Sequence, residues 1–200
     1  MKTILLFSGG IDSTTLLYKL RSEGHEVECL AFDYGQRHRR ELLAAKEITE
    51  NLNLPLRVIE LRDIWHDHTD IFPAVSDIIP NRNMIFLSIA ATVAIEQGAE
   101  AVAWGPNRDD WGGFPDCRED FAVTMRAALL LCHTSAIDLL TPFISMTKTE
   151  VVTLGYSLDV PLGATWSCYE GGRKPCRRCS ACLTRAKAIS QANSQDQEPL

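Results

Sequence analysis

Short unbroken apolar runs and longer, spaced ones alternate along this chain. Thr3–Phe7 (Thr-Ile-Leu-Leu-Phe) is stopped by Ser-Gly-Gly and predicts a strand buried on both faces. From Asp12 to Ser22, Leu16, Leu17 and Leu20 fall at helical spacing, and Gly24 closes the segment. Glu26–Phe32 predicts a second strand, Glu41–Leu52 a helix, and Leu56–Leu61 a third strand. Residues 63–81 break the rhythm with aromatics, histidines and prolines that have no period, as in a functional loop or lid. Asn83–Gln97 resumes as an apolar helix, Ala101–Trp104 is a fourth strand, Arg108–Asp116 a polar loop with glycines, and Glu119–Cys132 another helix. Ile137–Leu140 predicts a short strand and Lys148–Leu154 a short helix. Strand and helix alternating at this spacing argue for right-handed βαβ units and a parallel α/β sheet.

At 200 residues the chain is sized for one domain with a small appendage. The expected division is a main domain over 1–164, a cysteine-rich module with a terminal helix over 165–192, and a polar tail over 193–200. A net charge of −6 argues against a nucleic-acid surface, although basic clusters at Arg37–Arg40 and Arg173–Arg178 leave room for a small anion. No apolar run approaches the ~20 residues of a membrane span, and the short opening run is not a secretion leader. Seven cysteines without such a leader point to metal binding in a reducing compartment, so a cytoplasmic protein is expected.

The strand-to-helix junction Phe7-Ser8-Gly9-Gly10-Ile11-Asp12-Ser13-Thr14 carries the first chemistry. Open α/β sheets bind ligands at such junctions. Two glycines let backbone N–H groups turn toward an anion, and the helix dipole, Ser13 and Thr14 add to the attraction. Asp12 would cap the helix or help hold Mg²⁺ near the phosphates. A glycine turn needed for geometry alone is the plainer alternative. The loop has neither a Walker Gly-Lys-Ser/Thr ending nor dinucleotide-fingerprint spacing. Ser-Gly-Gly-x-Asp-Ser looks like the loop of the N-type ATP pyrophosphatases, whose members cleave ATP between the α and β phosphates and adenylate a substrate oxygen.

Cys168, Cys176, Cys179 and Cys182 follow a C-x7-C-x2-C-x2-C spacing that suits a tetrahedral zinc site with no open position, hence a structural one. A redox pair at Cys176 and Cys179 and an iron–sulfur cluster are the competing readings. Cys29 and Cys132 sit on apolar segments and read as core residues; Cys117 lies in a polar loop.

Three further stretches join these two: Phe32-Asp33-Tyr34-Gly35-Gln36-Arg37-His38, Pro80-Asn81-Arg82-Asn83 and Pro115-Asp116-Cys117-Arg118. All five in this order resemble the QueC family, the 7-cyano-7-deazaguanine synthases, over nearly the whole chain. The resemblance implies a three-layer α/β/α fold and ATP-dependent conversion of 7-carboxy-7-deazaguanine and ammonia to the nitrile. It also implies structural zinc on the four cysteines, Mg²⁺ with ATP, and a homodimer. Within it, Ser8, Ser13 and Lys148 are expected to meet the phosphates, with Asp12, Ser13, Lys148 and Arg82 as the catalytic set. Asp33, Tyr34, Gln36, Arg37, His38, Arg82, Asn83, Asp116 and Arg118 are expected at the heterocycle and its carboxylate. His66 and His68 read as solvated loop residues, and Trp65, Trp111 and Trp166 as core or lid anchors.

Three features depart from the family pattern. The segment before Arg82 is short, Asn81 stands where glycine is usual, and Asp109–Phe114 replaces a stretch that usually carries serine and tyrosine. They leave two alternatives beside the nitrile synthase. One is a paralogue that stops at the amide or joins the deazapurine to another amine, such as a protein N-terminus in anti-phage defence. The other is a non-catalytic nucleotide-binding module that holds a protein partner.

Overall fold

β1 (Lys2–Leu6) lies at the centre of one parallel sheet, paired with β2 (Glu26–Asp33) on one side and β4 (Ala101–Ala103) on the other. β3 (Leu56–Glu60) extends the sheet beyond β2, and β5 (Asp138–Leu140) extends it beyond β4. The order is β3-β2-β1-β4-β5. The computed structural model describes residues 1–36, 38–62 and 79–195. The suspected lid, with Trp65, His66 and His68, falls largely outside these residues, and so does Arg37.

Alternation along β1 assigns the helices to the two faces. Ile4 and Leu6 point to one side, where they pack with Leu87, Ala90 and Ala94 of α3 (Arg82–Glu96) and Met125 and Leu129 of α4 (Glu119–Cys132). Leu5 and Phe7 point to the other side. There they meet Leu16, Leu17 and Leu20 of α1 (Ile11–Ser22), Ala45 and Ile48 of α2 (Arg40–Asn51), and Val151 of α5 (Lys148–Ser157). The result is the expected three-layer α/β/α sandwich. α5 runs three residues past Leu154, with Val151, Val152 and Gly155 buried against α1 and the C-terminal segment.

α6 (Ser180–Gln195) is laid against this body. Ala188 and Ala192 share a small core with Ile11, Val152 and Leu162. Arg185 pins the connection: its guanidinium donates to the carbonyl (3.2 Å) and hydroxyl (2.7 Å) of Thr165, to Ser167 Oγ (3.3 Å) and to the Leu162 carbonyl (2.5 Å). The helix also carries Asn193 and Ser194 of the expected polar tail. No helix among the described residues is long and apolar enough to cross a membrane.

Candidate active site

Strands to the right and left of β1 are reached by opposite windings, so the connections leave a crevice between the C-terminal ends of β1 and β4. A cavity of about 1280 Å³ opens there, large enough for a nucleotide beside a second, planar ligand. Of the residues expected at the site, Phe7, Ser8, Gly10, Asp12, Ser13, Tyr34, Gln36, His38, Arg82, Asn83 and Lys148 line it.

Its first wall is the Ser8–Ser13 turn. Gly9 has φ +78°, and a Cβ there would lie 2.5 Å from the Ala45 nitrogen and 2.6 Å from the Glu41 carbonyl oxygen. Glycine is therefore required twice, for its backbone conformation and for the close approach of α2. Gly10 is the N-cap of α1 and offers no side-chain acceptor, so the first amides of the helix remain available to an anion. Ser8 Oγ and Ser13 Oγ converge at 3.2 Å, and Ser8 Oγ accepts the Gly10 N–H at 3.2 Å. Thr14 is wholly buried and lies outside the lining, as does Gly9.

Lys148 begins α5 behind a capping box in which Thr147 and Glu150 bond reciprocally. The helix start aims the ammonium into the cavity, where it donates to Asp12 Oδ2. Asp12 thus does not cap α1; it sits in the first turn, ion-paired across the crevice, with Oδ1 buried and unpartnered among the described residues. The Lys148 backbone N–H donates to Asp109 Oδ2 at 3.1 Å.

The opposite wall is aromatic and basic. Phe32 and Phe86 stack with centroids 4.1 Å apart, and Tyr34 tilts onto Phe86 at 5.5 Å. The Arg82 guanidinium lies 5.8 Å from the Tyr34 ring centroid and 6.0 Å from that of Phe86. Its bond to Tyr34 Oη is long (3.4 Å), and its Nε is buried without a partner among the described residues, so donors remain for a carboxylate. Burial, only partly offset by Arg82, pushes the Tyr34 phenol up to about 12. Arg82 follows Asn81, whose φ of +60° is left-handed. Asparagine is the side chain that best tolerates this conformation, so it preserves the entry to α3 that glycine would provide.

Several expected contacts are occupied elsewhere. Asp33 is buried between Arg62 and Arg39 (2.8 Å to the latter), whose hydrogen bonds hold its carboxyl at about 2, and it lies outside the lining. Gln36 lines the cavity, yet its amide closes the β2–α2 turn: Oε1 accepts from the Tyr34 N–H (2.9 Å), and Nε2 donates to the Phe32 carbonyl and Glu41 (both 3.1 Å). His38 Nε2 lies 3.3 Å from Glu41. Asp116 and Arg118 are outside the lining; Arg118 Nε donates to the Trp111 carbonyl at 3.1 Å, bracing the loop. Cys117 does line the cavity and receives the Asn83 amide at 3.7 Å. Burial, then the nearby Asp110, raises its thiol to about 12, so it is no nucleophile at neutral pH.

Asn107, Asp109, Asp110, Trp166 and Tyr169 also line the cavity, and the chain alone does not mark them as ligand-contacting residues. The Trp166 backbone N–H donates to the Gly9 carbonyl at 2.9 Å, which joins the cysteine segment to the phosphate turn. The Sγ atoms of Cys168, Cys176, Cys179 and Cys182 all lie within 4.8 Å of one another, close to the spacing of about 3.8 Å that tetrahedral Zn–S bonds impose. Backbone N–H groups of Cys176, Arg178 and Cys179 point at sulfurs within this set at 3.3–3.5 Å. The cluster suits a metal ion such as zinc, and its four thiols leave no position open.

The model of the queuosine biosynthesis protein QueC matches residues 2–193. The chain belongs to the QueC family. A 7-cyano-7-deazaguanine synthase from Caldicellulosiruptor saccharolyticus is 34% identical, covering 98% of this chain and 94% of the relative. Those from Archaeoglobus fulgidus (38% identical, 94% and 86% covered) and Picrophilus torridus (39%, 98% and 90%) are likewise similar to this QueC member. Among solved structures, a 4-thiouridine synthetase–RNA complex with bound ATP superposes with a TM-score of 0.60 at 20% identity, covering 98% of this chain and 51% of that one. A U34-tRNA thiolase from Methanococcus maripaludis gives 0.58 at 18%, covering 100% and 67%. At such identities the two structures establish the shared fold.

Proposed function

We infer that this QueC-family chain is an ATP-dependent carbon–nitrogen ligase that adenylates 7-carboxy-7-deazaguanine, aminates it to the amide and, by a second activation and loss of water, yields 7-cyano-7-deazaguanine, in queuosine biosynthesis. One observation carries the reading: a phosphate-binding helix start and an aromatic wall bearing Arg82 face each other across one cavity at the sheet's switch point. The amides of α1, Ser8, Ser13 and Lys148 hold the phosphates, which arrive with Mg²⁺ as the ATP complex. Lys148 exchanges Asp12 for phosphate oxygens as negative charge builds on the departing pyrophosphate. Arg82 takes the substrate carboxylate bidentately and presents it to the α phosphate, while Tyr34 and Phe86 cover the planar base. Zinc on the four cysteines is structural and holds the segment from Trp166 against the phosphate turn. Residues 1–164 form the catalytic body and 165–192 the zinc module. Ammonia as the amine, a cytoplasmic location and a homodimer follow from the family resemblance.

A Cβ at Gly112 or Gly113 would meet nothing within 4 Å among the described residues. This open side favours a second reading, in which an amine larger than ammonia enters. Incubation with 7-carboxy-7-deazaguanine, Mg²⁺–ATP and ammonium, followed by mass analysis, separates the two. The nitrile supports the first reading, whereas an amide end product or an added mass on protein supports the second. No substrate-dependent AMP release from folded, zinc-loaded protein would overturn both.

A further inference from the structure

The turn Arg108–Asp110 sets two carboxylates beside each other, and they have different surroundings. Asp109 also borders the cavity, but it is exposed and accepts the Lys148 backbone N–H at the start of α5. Asp110 lines the cavity, its orientation fixed by the Asn107 N–H, which donates to Oδ2 at 3.3 Å. Asn107 itself is wholly buried. Its Oδ1 accepts the Asp109 N–H at 3.0 Å, which identifies the other side-chain atom as Nδ2, and Nδ2 has no partner among the described residues. A held acceptor and an unpartnered buried donor therefore border the space between the phosphate turn and Arg82, where a reacting acyl group belongs.

We propose that Asp110 is the catalytic proton acceptor for the amine that displaces AMP from the acyl adenylate. The inference rests on the adenylating function described above. The nitrogen lone pair forms the C–N bond, and the bond from the acyl carbon to the phosphate oxygen breaks with its electrons leaving on AMP. The proton shed by nitrogen passes to the Asp110 carboxylate and on to solvent. The groups facing Asp110 suit the role: Asp12 on α1, Lys148 on α5, Asp109 on the same turn and the neutral Cys117 thiol. Burial first, then the charge of Asp12, raise the Asp110 carboxyl to about 6 against the pull of Lys148. Such a group is ionised at neutral pH yet more basic than an ordinary carboxylate.

The test uses the full chain with Asp110→Asn and Asp110→Glu, following two readouts. Deazapurine-dependent exchange of pyrophosphate into ATP reports adenylation, and product formation reports amination. For Asp110→Asn, exchange should stay within about threefold of wild type while amination falls by about 10²–10⁴. At constant free ammonia, wild-type amination should decline below about pH 6, and this limb should vanish in Asp110→Asn and return, displaced, in Asp110→Glu. Unchanged amination in Asp110→Asn, or exchange lost in equal measure, would overturn the assignment. A wild-type protein that exchanges no pyrophosphate would instead overturn the adenylating function on which the role depends.

Discussion

The two walls of the cavity are held in place by different means. The phosphate turn is made of backbone: consecutive residues, a glycine pressed onto α2, and the free amides of a helix start. The facing wall is made of side chains drawn from distant parts of the chain, with Arg82 on Tyr34 and Phe86 and Asn83 on Cys117. A backbone site keeps its shape for any ligand bearing the same phosphates. A side-chain site changes whenever one residue does, so substrate choice can evolve on the second wall while ATP use is retained on the first.

Metal removal should have the largest effect and be lopsided. Structural zinc contributes on the order of 10 kcal/mol to such sites, and Trp166 ties the cysteine segment to Gly9. Chelation should therefore expose amides of α6 and the phosphate turn to hydrogen exchange while the β4 and α3 amides stay protected. Equal protection loss everywhere would erase the distinction between the walls. Gly9→Ala comes next. The left-handed backbone and the 2.5 Å clash with α2 should cost about 2–5 kcal/mol, read as a lower thermal midpoint together with lost ATP binding.

Lys148→Met should leave the fold intact and lower turnover by about 10²–10³, since one donor to developing charge is lost. A change in KM for ATP without one in kcat would make Lys148 a binding residue instead. Asn81 gives the smallest effect. Asn81→Gly should shift stability by less than about 0.5 kcal/mol, whereas Asn81→Val should cost about 1–2 kcal/mol and weaken binding of the acid through Arg82. Equal tolerance of both would mean that the entry to α3 does not position the arginine.

Much of the first wall is legible in the chain, because Ser8–Ser13 and the strand before it are contiguous and local sterics dictate their shape. The same holds for the cysteine turn, where C-x2-C-x2-C brings three thiols together with little help from elsewhere. Asp33 was harder to read. A carboxylate at a strand's C-terminal end suggests a ligand contact, yet Arg62, 29 residues away in sequence, reaches it first. Asp110 is illegible for the converse reason, since its neighbour Asp109 looks the same in sequence; both line the cavity, and only packing leaves Asp109 exposed at the start of α5 and Asp110 half-buried beside Asn107.

The alternation of apolar runs, the phosphate turn and the thiol spacing follow from the sequence by itself, since each depends on residues within one or two turns of chain. Tertiary structure alone decided that Lys148 would meet Asp12 across 136 positions, that Arg82 would lie over Tyr34, and that Asp110 would line the cavity. Those pairings depend on which helix covers which face of the sheet, and the energy that fixes that choice comes from the buried core rather than from the residues that meet in the site.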